Sequence, residues 1–121
     1  MQLTPLDLVP ATPPAGVPDE SKMHFVGRDF LRVRLKLGES PSGAVSVRPW
    51  FYLDDEWWPL RADGADGAGV QPVTADASAF GGKADGFFVT GGLACFVVLV
   101  VEAGDPDDVA AAYVDASDSP G

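Results

Sequence analysis

The stretch Asp29-Phe30-Leu31-Arg32-Val33-Arg34-Leu35-Lys36-Leu37, DFLRVRLKL (residues 29–37), alternates without a fault. Leu31, Val33, Leu35 and Leu37 fall on one face; Arg32, Arg34 and Lys36 fall on the other. A period of two places successive side chains on opposite sides of a strand, so this is a half-buried strand of an antiparallel sheet with a basic outer face.

After a loop of turn formers, GESPSG at 38–43, the pattern returns. Val45, Val47, Phe51 and Leu53 run in phase against Ser46, Arg48, Trp50 and Tyr52. Pro49 shares the apolar phase but has no amide to give a ladder, which predicts an edge strand or a bulge. Asp54-Asp55-Glu56 makes a turn, and Trp57 to Leu60 begins the return strand. Further on, Gly86 to Thr90, Gly91-Gly92 and Leu93 to Glu102 predict a hairpin leading into a strand buried on both faces, since residues 95–101 are apolar throughout. Val109 to Ala116 forms the last strand. Between these groups, Arg61 to Lys83 has little period and is too long for an ordinary hairpin loop; Val70, Val73 and Phe80 are the residues able to pin it or form a short strand.

Upstream, residues 1–23 hold Pro5, Pro10, Pro13, Pro14 and Pro18 and show no period. Proline fixes φ and removes donors, so the segment is extended. Two readings stay open: a solvated tail, or an arm laid across a neighbour with Leu3, Leu6, Leu8, Val9 and Val17 as apolar anchors. The expected organisation is an N-terminal arm (1–23), one domain (24–117) and a short tail (118–121). The expected fold is all-β: a single antiparallel β-sandwich, jelly-roll or Ig-like, with the Pro-rich arm attached.

A chain of 121 residues with 46% hydrophobic content supports one core, and its 14 Gly and 11 Pro fit short strands joined by turns. Eighteen acids against eight bases give a net charge of −10, which opposes binding to nucleic acid or anionic membrane. The opening residues lack the basic and apolar regions of a signal peptide, and no apolar run approaches the roughly 20 residues of a spanning helix. Synthesis in the cytoplasm is therefore expected.

Chemistry is thinly provided. With one histidine, His24, and one cysteine, Cys95, a nucleophile–base pair would require an accident of folding, and a cysteine inside the most apolar run reads as an inert buried thiol. Zinc lacks ligands. The acidic loops at 54–56, 63–66 and 105–108 do not have EF-hand spacing and read as solvated caps. The Gly-rich stretches lack the strand–loop–helix context of a phosphate site. No catalytic residue, metal or cofactor is assigned.

The aromatic cluster WFYLDDEWWPL (50–60) remains. One reading takes Trp57 or Trp58 as a core tryptophan, with its neighbours packing across the hairpin. The other makes Trp50, Tyr52 and Trp57 or Trp58 an exposed platform, for a carbohydrate or a protein. The surface residues expected to meet a partner are Trp50, Tyr52, Trp57, Arg32, Arg34 and Lys36.

In the order GAVSVRPWFYLDDEWWPL, a Gly/Ala-rich insertion, then GFFVTGGLACFVVLVVEAGDPDDVAAAYVDAS, the chain resembles small β-sandwich structural proteins of tailed bacteriophages. Trp58, the Phe88–Gly91 phrase and the Val109–Tyr113 strand carry the likeness over residues 29–117, while DDE stands where such proteins have a Gly/Asn turn. The resemblance implies a noncatalytic virion protein, a capsid decoration or cement protein located in the virion. Its implied partners are the major capsid protein or other virion subunits, and copies of itself in a small symmetric oligomer such as a trimer. A tail or connector protein, or a host-adhesion module using the aromatic patch, are the alternatives.

Overall fold

The computed structural model describes residues 4–10, 22–59, 72–90, 92 and 94–118. Among them are nine strands: β1 (Thr4–Pro5), β2 (His24–Val26), β3 (Phe30–Leu37), β4 (Val45–Leu53), β5 (Glu56–Pro59), β6 (Val73–Ala75), β7 (Lys83–Val89), β8 (Cys95–Ala103) and β9 (Val109–Ser117). There is no α-helix among the described residues; Phe80–Gly82 and Pro106–Asp108 are single 3-10 turns.

The strands form two antiparallel sheets. The first has the order β1-β9-β3-β7; the second has the order β2-β8-β4-β5, with β6 also paired to β4. The alternation at 31–37 decides how they meet. Leu31, Val33, Leu35 and Leu37 face inward from the first sheet and join Val45, Val47, Phe51, Val97, Leu99 and Val101 of the second in one buried cluster. The fold is thus all-β, two sheets closed on a shared apolar core.

β8 is the buried central strand its composition predicts, but it forms no hairpin with the strand before it. β7 belongs to the first sheet and β8 to the second, so the chain changes layer between them. Apolar alternation fixes which face of a strand is buried but carries no information on which strand lies beside it.

Pro49 is corrected as well. It is fully buried in β4, which has partners on both sides, and the irregularity in the ladder falls at Ser46/Val47 instead. Val9 bonds β8 at the Leu99 carbonyl and the Val101 amide, so those residues point their polar groups away from β4. By the alternation of an antiparallel ladder, Pro49, opposite Leu99, aims its nitrogen at the far edge of β4. There β6 pairs only as far as Val47 and β5 starts at Trp50. The missing amide therefore falls where β4 changes partner.

The described part of the N-terminal segment is woven into the same fold. β1 pairs with β9, the Leu6 amide donates to the Ala112 carbonyl at 3.0 Å, and Val9 makes a parallel bridge to Val100 of the other sheet. Leu6 is buried in the core between the sheets with Leu8 packed against it, and Val9 is buried in a separate cluster with Val98 and Val100 of β8. Neither a solvated tail nor an arm anchored on a neighbour describes these three residues, whose apolar surface is used within the chain. Leu3 and Val17 lie outside the described residues, as does Val70. Val73 is buried in β6, whereas Phe80, the other expected pin, is 89% exposed.

Candidate functional site: the outer face of the second sheet

Even-numbered residues of β4 and β8 point away from the core. Strand register then lines up Phe25 of β2, Phe96 of β8, Tyr52 of β4 and Trp57 of β5 in one row across the sheet. Phe25 and Phe96 meet edge to face, with centroids 5.5 Å apart; Tyr52 and Trp57 lie 4.9 Å apart with planes tilted by 58°. In the next row Trp50 stands opposite Val98, and behind it Arg48 is opposite Val100 and ion-paired to Glu102.

Beside this row on the same face is a second apolar cluster, Val9, Val98 and Val100, with Met23, Trp50 and Trp57 packed against it. The outer face of the sheet therefore carries an apolar cluster of its own. Phe25 keeps 54% of its surface in water, and Phe96 is also exposed. Among the described residues the buried Trp50 indole N–H finds no hydrogen-bond partner, which costs about 1–3 kcal/mol.

Neither Trp57 nor Trp58 is a core tryptophan. Trp57 covers the outer cluster, while Trp58 stands opposite Phe51 at the rim, is 50% exposed and donates its indole N–H to the Leu53 carbonyl at 3.3 Å. The inner core is filled by Leu, Val and Phe without them. Trp50, Tyr52 and Trp57 do share one face, as alternation requires.

Arg32, Arg34 and Lys36 stand on the opposite side of the molecule, on the outer face of β3. Arg32 and Arg34 both reach Asp85 of β7, at 3.5 and 3.6 Å, and Lys36 is paired in register with Lys83. A flat partner cannot touch both this face and the aromatic one. The sequence groups them as one partner surface; the strand order separates them onto the outer faces of different sheets.

The groups with catalytic potential are placed on the inner side. Cys95 is buried opposite Val26, and burial raises its thiol pKa above the ordinary value. His24 stands opposite Val97, its pKa lowered by burial and partly restored by the Asp115 carboxylate. In the acidic loops, Asp105 caps the amide of Asp107, and Asp108 accepts from the Ser42 amide and hydroxyl. Among the described residues no group of three His, Cys, Asp or Glu side chains is arranged to hold a metal ion.

No protein-family model matches the chain, and no curated protein or solved structure is significantly similar to it.

Sequence reasoning missed Phe25 and Phe96, half of the aromatic row. Each looks like an isolated aromatic in its own strand, and only the pairing of β2 with β8 brings them together.

Proposed function

We propose that the chain is a noncatalytic structural protein of a tailed-phage virion, a capsid decoration or cement protein. In this reading it is a jelly-roll sandwich that docks on the outer surface of the head with the aromatic face of its second sheet. The observation that carries the docking role is the row Phe25, Phe96, Tyr52 and Trp57: a partly exposed aromatic surface flanked by the apolar cluster that Trp57 packs against.

The strand orders β1-β9-β3-β7 and β2-β8-β4-β5 support the jelly-roll type, in which successive strands pass back and forth between the sheets. An Ig-like sandwich groups its strands differently. Jelly rolls serve in viral capsids and in lectins alike, so the fold favours a virion role by analogy only. The net charge of −10 adds to it, because such a protein is repelled by packaged genome and suits the outside of a shell.

The second reading is a carbohydrate-binding or host-adhesion module. It is favoured by Trp50, Tyr52 and Trp57 sharing one face. Against it, the rings are tilted by 58° and 73° within their pairs, which makes a corrugated surface rather than the coplanar strip a sugar stacks on.

The test is co-sedimentation with shells of the major capsid protein encoded in the same genome, run beside a glycan array. Loss of shell binding in Phe96→Ala with no glycan signal supports the decoration role. Glycan binding lost in Trp57→Ala would replace it with the second reading.

A further inference from the structure

The outer edge of β7 is open in a specific way. The Thr90 amide donates to the Asp29 carbonyl at 2.7 Å, so position 90 faces β3. By alternation Phe88, Gly86 and Ala84 face β3 as well, and Asp85, Phe87 and Val89 turn their backbone amides and carbonyls outward. The Lys83 amide is taken by the Phe80 carbonyl. Among the described residues nothing pairs with the outward groups of the other three.

Their side chains do not screen that edge. Phe87 is 51% and Val89 69% exposed, although long apolar edges are usually guarded by charge, proline or a bulge. The one acid there, Asp85, is drawn inward over the sheet by Arg32 and Arg34.

We propose that β7 is a homodimer interface: two copies pair β7 to β7 antiparallel about a two-fold axis, with Phe87 opposite Phe87 and Asp85 opposite Val89. Among two-fold registers that set outward-facing residues against each other, this one joins all three open positions and forms about six backbone hydrogen bonds. Shifting it by one residue on each strand towards Lys83 gives a register that leaves Val89 without an open partner. Shifting it once more places Asp85 opposite Asp85, a like-charge pair.

Phe87 already packs edge to face on Phe30, centroids 6.0 Å apart, so the pairing extends an aromatic contact across the axis. The two first sheets become one continuous sheet, and both aromatic docking faces stay free.

Sedimentation velocity over a concentration series gives the first test: the wild-type chain shifts from one to two chain masses, and Phe87→Lys and Val89→Lys hold it at one while the circular dichroism spectrum is unchanged. A second measurement does not rely on those variants folding. Under mild oxidation Phe87→Cys forms a disulfide-linked dimer, because paired Cα atoms about 5.5 Å apart suit the bond, and Asp85→Cys does not. A wild-type chain monomeric at every concentration, a trimer, or a cross-link through position 85 in preference to 87 would overturn the proposal. Phe96→Ala leaves this dimer intact, so failure here is distinguishable from failure of the docking face.

Discussion

Tyr52 and Trp57 stand 4.9 Å apart across a turn whose two central residues, Asp54 and Asp55, both have positive φ, 52° and 64°. Such a pair defines the twist-matched two-residue hairpin turn, for which Asn-Gly is the usual sequence. Aspartate tolerates the left-handed region but at a cost. Replacing Asp54-Asp55 by Asn-Gly therefore stabilises the fold by about 1 kcal/mol, read as a higher urea midpoint with unchanged slope. A lower midpoint would contradict the turn geometry.

Gly104 closes the start of the β8–β9 connection with φ +89°, and a side chain there would run into the Ala44 carbonyl and stand 2.9 Å from the Val45 Cα. Both obstacles are backbone and cannot swing away. Gly104→Ala loses about 3 kcal/mol or more, while Gly43→Ala, in open space, changes stability by less than about 0.5 kcal/mol. Paired denaturation curves compare them directly.

Burial lowers the His24 pKa, so the unfolded chain takes up the proton more readily than the folded one. The stabilising contribution is complete above the ordinary value of about 6.5 and is lost as pH falls below it. Wild type should lose more stability than His24→Gln between about pH 7 and 5. Asp115→Asn, by removing the compensating carboxylate, deepens the loss.

Cys95 shifts the other way. Its raised pKa leaves stability intact below the unfolded value and reduces it in alkali, as unfolded thiolate becomes available. Near neutral pH the native thiol resists a disulfide reagent and reacts at once in denaturant. Fast labelling of the native chain would contradict the burial of Cys95 in the core between the two sheets.

The inner layer was legible from local pattern. Strict alternation at 31–37 and the apolar run at 95–101 identify β3 and β8 because side-chain direction is a local property of a strand. Strand neighbours are not local. That is why β7 and β8 read as a hairpin, and why Phe25 and Phe96 were invisible as parts of one surface. Pro49 misleads for a related reason: its missing amide signals a ladder gap, and the gap proved to be a change of partner inside the sheet. A core tryptophan is not needed where aliphatic side chains already fill the space between the sheets, so Trp50 and Trp57 pack on the outer cluster and Trp58 stands at the rim.

The central claim is that the aromatic row binds a virion subunit. The most direct measurement is co-sedimentation of the folded Phe25→Ala/Phe96→Ala variant with capsid shells. Both side chains are exposed, so their removal leaves the core in place. An aromatic residue at the centre of an interface contributes about 2 kcal/mol or more, so the account predicts a loss of affinity of at least about 30-fold with an unchanged circular dichroism spectrum. Wild-type affinity in this variant would contradict it.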